Sequence, residues 1–209
     1  MIESYSDYIH TKKLDLNLSK IKNSAHKMYN FVKNEFVENC DHNGQSSMVD
    51  QIFAKYNAFM YPYPEFYELF KQIQIMFQDL ISTDSSDYSD DPHYLQSWVN
   101  FYRKGDFISW HGHWPVEVNA WHGYYCVDVE PSKTTYQIPN VKGNIDVINS
   151  NNLLIISKSD GDRHRTWPWE YDRPRITIAF DIVPACHIMS GHPGIDTHNR
   201  MGKNHWIPV

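Results

Sequence analysis

Arg175-Ile-Thr-Ile-Ala-Phe-Asp-Ile-Val183 is the most strand-like stretch of the chain, and its reading decides the fold. Ile, Val and Thr are β-branched and suit a pleated surface. The run is nearly all apolar, the mark of a strand covered on both faces. Working outward, Asn152–Ser157 (NLLIIS) is a second buried strand, and Ala120–Val129 (AWHGYYCVDV) is a third, ended by Glu-Pro-Ser. Trp98–Tyr102, Phe107–His113 and Thr134–Ile138 read as further strands, with turns at Lys104-Gly-Asp106 and Ser159-Asp-Gly161. Roughly seven short strands with polar turns and no internal repeat predict a sandwich, barrel or jelly roll.

Before residue 94 the period is helical. Leu18, Ile21, Met28, Tyr29, Val32 and Phe36 recur at three- and four-residue steps and predict an amphipathic helix over 16–39. Residues 40–49 are a polar loop, and 50–60 fit neither period. Pro64 suits the first turn of a second helix, about 64–81, whose buried stripe is Phe66, Leu69, Phe70, Ile73, Phe77 and Leu80. Ser82–Pro92 is an acidic linker. The expected organisation is a helical segment, 1–93, packed on a β core, 94–183, followed by an extension, 184–209, all within one domain. The extension carries His187, His192, His198 and His205 without periodicity, so these read as surface residues.

Composition narrows the function. Aromatic residues reach 15% of the 209, which favours an all-β core with apolar pockets. A net charge of -6 argues against sequence-independent binding of nucleic acid. Cys40, Cys126 and Cys186 form neither a disulfide framework nor a zinc-finger pair, so a reducing, cytoplasmic setting is expected. The first residues lack the apolar region of a signal peptide, and no stretch approaches the ~20 apolar residues that span a bilayer.

The chemistry gathers around Trp110-His-Gly-His-Trp114. Two histidines one residue apart on a strand point to the same side, so His111 and His113 share a face. His164 follows a buried strand and a glycine turn, where an antiparallel sheet can return it to them. Such a set suits iron, copper, nickel or zinc. Arg175 lies eleven residues further on, with Thr177 on the same face. Its guanidinium is a fork for a carboxylate. Asn100 and Tyr102 share a face of the strand before the histidine pair and are candidate cofactor contacts. Arg163 and Arg165 flank His164, and Trp110, Trp114, Trp121, Trp167 and Trp169 crowd the same neighbourhood.

Lys104-Gly-Asp-Phe-Ile-Ser-Trp-His-Gly-His113, Gly123-Tyr-Tyr125, Gly161-Asp-Arg-His164 and Arg175-Ile-Thr-Ile-Ala-Phe180 together resemble the iron(II)- and 2-oxoglutarate-dependent oxygenases, most closely their compact, phage-type branch. The resemblance covers about residues 94–183. It implies a double-stranded β-helix, a jelly-roll core, preceded here by N-terminal helices. It further implies iron(II) on His111, His113 and His164, and 2-oxoglutarate held by Arg175 and Thr177, with ascorbate as an in vitro reductant. The implied reaction is hydroxylation of an unidentified substrate with release of succinate and CO2. The family usually has Asp or Glu where this chain has His113. Either the site has three neutral histidines, or Glu117 or Asp128 brings a carboxylate. Gly105, His111-x-His113, Glu117 and Gly123 also resemble the first motif of the cupins, and Ser159-Asp-Gly-Asp-Arg-His164 resembles the second without its proline. That resemblance implies the same jelly roll with Glu117 as a ligand and no 2-oxoglutarate. A metal-free jelly-roll binding module is the third reading.

Overall fold

The structure is a computed structural model, and it describes residues 2–36, 56–85, 90–190 and 205–209. Ten strands and three helices of regular length are present among these residues: β1 (Ile2–Ser6), β2 (Ile9–Lys13), α1 (Leu18–Phe36), α2 (Pro64–Ile81), β3 (His93–Tyr102), β4 (Trp121–Asp128), β5 (Ser132–Gln137), β6 (Ile145–Asn149), β7 (Leu153–Lys158), β8 (Arg163–Thr166), β9 (Arg175–Pro184), α3 (Ala185–Ser190) and β10 (Ile207–Pro208). Seven strands form one antiparallel sheet in the order β1-β2-β7-β4-β9-β3-β10, and three form a second in the order β6-β5-β8.

The segment 107–113 is where the strand prediction is only partly met. It joins β8 through one bridge, in which His111 and His164 exchange backbone hydrogen bonds of 3.0 and 2.9 Å. Ile108 extends the contact by bonding Thr166. This segment therefore acts as a fourth, irregular member of the small sheet. From β3 to β9 the chain then shuttles between the two sheets, which is the path of a jelly roll.

β9 is central, with β4 on one side and all ten residues of β3 on the other. Its two faces have different tenants. Ile176, Ile178, Phe180 and Ile182 face the helical layer, where α1 packs across β3, β4 and β9. Each such fully buried side chain stabilises the fold by roughly 1.5–3 kcal/mol. Asn17 caps α1 by accepting from the Lys20 amide, and Ile21, Ala25, Met28 and Val32 form its buried stripe. Pro64 opens α2 as the sequence predicts, and Phe66, Leu69, Ile73, Met76, Phe77 and Leu80 are buried. The predicted end of the first helix at 37–39 and the side chain of Phe36 lie outside the described residues.

Two parts of the chain depart from the sequence reading. Residues 2–13 form a hairpin that joins the large sheet through β2 and β7, ahead of the helices. The C-terminal segment is not merely a surface extension. Its last residues return to β3, where β10 pairs with Tyr94 and Leu95 and Trp206 is buried against Trp114. His187 is buried and His205 half-buried, whereas His192 and His198 lie outside the described residues. Beside β10 the free edge of β3 is satisfied by side chains: the Val99 amide donates to Tyr56 Oη (2.8 Å), and Asn57 Nδ2 donates to the Leu95 carbonyl (2.9 Å). Unpaired edge groups are thereby satisfied rather than left buried.

Candidate active site

A cavity of about 240 Å³ lies between the two sheets. Strand alternation fills it. β9 lends Arg175, Thr177, Ala179 and Asp181, β3 lends Trp98, Asn100 and Tyr102, and β4 lends His122 and Tyr124. The small sheet adds Thr134, His164 and Thr166, and the bridged segment adds Ile108, His111 and His113.

His111, His113 and His164 each bring a nitrogen to one place, all within 4.8 Å of one another. The bridge between His111 and His164 is what sets this convergence. Gly112, between the two neighbouring histidines, has room for no side chain, since a Cβ there would stand 2.9 Å from the Asp162 carbonyl. The rings are held from behind. His111 Nδ1 donates to the Ser109 carbonyl at 2.9 Å, which fixes the tautomer and leaves Nε2 its lone pair. His113 Nδ1 meets Asp181 Oδ1 at 2.5 Å. His164 Nδ1 has no hydrogen-bond partner among the described residues, and Asp162 Oδ2 stands 3.8 Å from it. The same Asp162 oxygen is bonded by His122 Nε2 at 2.9 Å, so His122, Asp162 and His164 form a second, fully buried cluster.

Electrostatics keeps two of the three rings neutral. Burial pushes His111 down to about 4, and the neighbouring His113 adds to this. Burial also drives His164 well below the ordinary imidazole value, with His111 contributing. Neutral imidazole is the form that binds a metal. Burial works on His113 in the same sense, but the Asp181 carboxylate outweighs it and raises the ring above its usual value. For Asp162 burial disfavours the charged form, yet His122 and His164 prevail and hold it well below the carboxylate range.

Arg175 is 2% exposed and belongs to the same cavity. Nε bonds Ser132 Oγ at 3.3 Å, and the Tyr102 ring lies 4.4 Å from the guanidinium carbon. Ser132 is in turn bonded by Asn149, which also meets the Tyr124 hydroxyl. Nη1 has no partner, and no carboxylate lies within ion-pair distance of Arg175 among the described residues. Asp172, the acidic residue nearest to it in sequence, pairs instead with Lys104. Asn100 Nδ2 donates to Thr177 Oγ1 at 3.3 Å, and Asn100 Oδ1 is unpartnered.

Neither carboxylate considered from the sequence reaches the histidines. Glu117 is exposed on the short 3-10 turn Val116–Val118 and does not line the cavity. Asp128 is paired with Lys22 (2.5 Å) and Arg173, away from the cavity. This removes the ligand on which the cupin reading depends. The carboxylates that are present, Asp162 and Asp181, were missed. Both could have been found by parity: Asp162 is two residues before His164, and Asp181 continues the series 175, 177, 179. Arg163 and Arg165 point away from the cavity, and Arg165 stacks between Trp110 and Trp167 at 4.8 and 4.1 Å.

No family model and no curated protein matches the sequence. Solved structures do match the fold. The non-heme alpha-ketoglutarate-dependent epimerase SnoN from nogalamycin biosynthesis superposes with a TM-score of 0.62 at 12% identity, over 86% of this chain and 78% of that one. A Pseudomonas putida prolyl-4-hydroxylase gives 0.53 at 9% identity, over 85% of each chain. A prolyl hydroxylase from Trichoplax adhaerens, solved with a hypoxia inducible factor peptide fragment, gives 0.57 at 12% identity, over 86% and 84%. SnoN has also been solved with Fe3+ and alpha-ketoglutarate. The chain therefore has the jelly-roll fold of the iron- and 2-oxoglutarate-dependent oxygenases.

Proposed function

We propose that the protein is an iron(II)- and 2-oxoglutarate-dependent dioxygenase that hydroxylates a small-molecule or protein substrate. The observation that carries this reading is Arg175. A buried guanidinium without a counter-charge is strongly unfavourable, so the cavity calls for an anion. The same cavity offers three converging imidazoles. A ligand with a carboxylate at one end and a metal-chelating keto acid at the other satisfies both.

The donor set fits iron(II), which accepts imidazole nitrogen. When bound, iron(II) and 2-oxoglutarate supply the oxidising chemistry, converting O2 and the oxo acid into succinate, CO2 and one oxygen atom for the substrate. The chain's own part is to hold and shield. His111 and His164 present nitrogens from a backbone bridge within the small sheet, and His113 from the same segment as His111. Ser132 and Tyr102 hold Arg175 so that its Nη1 is left for the distal carboxylate. Asn100 and Thr177 line the path between, and Trp98, Ile108 and Ala179 keep water from it.

No described helix is long and apolar enough to cross a membrane. A cytoplasmic setting is part of the same proposal, supported by the free thiols of Cys126 and Cys186. The test is anaerobic addition of iron(II) and 2-oxoglutarate. A visible charge-transfer band is expected, followed in air and ascorbate by succinate. Absence of the band, or succinate formation that Arg175→Ala leaves unchanged, refutes the proposal.

A further inference from the structure

We infer that Asp181 is a positioning residue for the metal, supplying through His113 the negative charge that the ligand set itself lacks. The inference rests on the proposed metal site and adds a role for a residue outside it. Three imidazoles offer a divalent cation no compensating charge, whereas non-heme iron(II) sites commonly include one carboxylate. The outer partners of the three rings differ. Behind His111 stands a neutral carbonyl, that of Ser109. Behind His164 stands Asp162, but its oxygen is bonded to His122 at 2.9 Å and is 3.8 Å from His164. Among the described residues, only behind His113 does a carboxylate make direct contact, at 2.5 Å, with both side chains largely buried. A carboxylate accepting from Nδ1–H fixes the tautomer, turns Nε2 toward the site and makes it a stronger donor.

The position of Asp181 supports this. It lies on β9, paired with Gln96 on one side and His122 on the other, so its backbone cannot drift from His113. Burial at 3% exposure keeps its charge from being screened by water.

The experiment is anaerobic titration of the full chain with Co(II), followed by its d–d absorption, for the native protein and Asp181→Asn. Asparagine keeps the size and an acceptor for Nδ1–H, so its effect isolates the charge. The expected loss of Co(II) affinity is about tenfold or more, the scale at which outer partners of metal-bound histidines act. A smaller loss overturns the inference while leaving the metal site standing. Failure of the native protein to take up Co(II) instead overturns the metal site, and the inference with it. A second measurement needs no variant. In the Zn(II)-loaded native protein with 15N-labelled histidine, His113 is expected to bind through Nε2 with a strongly deshielded Nδ1 proton, and Zn(II) on Nδ1 overturns the role.

Discussion

Replacing Arg175 by Met should make the ligand-free protein more stable and deafen it to 2-oxoglutarate. Without an anion, Arg175 is a charge at 2% exposure, with Nη1 unpartnered and no carboxylate in reach among the described residues. Leaving a buried charge unpaired costs roughly 3–5 kcal/mol. Met keeps much of the apolar stem and gives up the Ser132 bond and the Tyr102 stack, together about 1–2 kcal/mol. The net is a gain of roughly 1–4 kcal/mol, or about 2–16 °C in Tm for a chain of this length. Ligand binding moves the other way. At about 100 times its Kd, 2-oxoglutarate stabilises the native protein by about 2.7 kcal/mol, a rise of roughly 5–11 °C. Losing the carboxylate's buried partner weakens binding by at least ~100-fold, which leaves about 0.4 kcal/mol at the same concentration. Thermal unfolding with Mn(II), with and without 2-oxoglutarate, reads both effects. A variant that keeps the native ligand-induced shift would refute the carboxylate anchor, whatever its own stability.

Three further outcomes are expected. Glu117→Gln should leave Co(II) affinity within about twofold of native, because substitution of an exposed residue away from the site perturbs little; a large loss would revive the cupin ligand set. Gly123→Ala should be costly, because a Cβ there meets the Ile155 carbonyl at 2.3 Å and Phe180 Cζ at 2.5 Å in the middle of the large sheet. A loss of about 2–3 kcal/mol, read as a urea midpoint lower by roughly 1 M, is expected, and an unchanged midpoint contradicts the packing. Burial pushes the Cys126 thiol up to about 12, so at pH 8 it is the unreactive protonated form. Mass spectrometry after brief alkylation of the native protein should find Cys186 modified and Cys126 untouched until the chain unfolds.

The jelly roll was legible because β7 and β9 are buried almost throughout and read as apolar runs. Strand parity alone placed Asn100 with Tyr102 and Arg175 with Thr177 on the cavity side. What was missed has a physical reason. β1 is largely exposed and carries almost no apolar alternation, so the N-terminal hairpin left no periodic signal. In β6 only Val147 and Asn149 are buried, again too little to read. Asp181 was passed over because a carboxylate in an apolar run looks like a fault until its partner is known, and Asp162 because a carboxylate in a polar turn looks solvated. That partner comes from the other sheet, and sheet pairing across the whole core is not written locally. The C-terminal strand was hidden for the same reason, because the edge of β3 that it completes lies far away in sequence.

β9 has one more consequence. Arg175 opens it and Asp181, behind His113, stands near its other end, so about 20 Å of strand separates the two backbones. A continuous ladder to β3 clamps the whole span, and β4 pairs it from Ile176 onward with one register shift at Cys126/Asp128. The strand is thus a ruler that cannot stretch or slip, for a one-residue shift would turn every inward group outward. On the proposed reading, the oxo acid lies between Arg175 and the metal on the histidines, a gap set from this strand at one end by Arg175 and at the other by His113 on Asp181. On that reading, discrimination between oxo acids one methylene apart follows from the main-chain pairing of the sheet rather than from its loops.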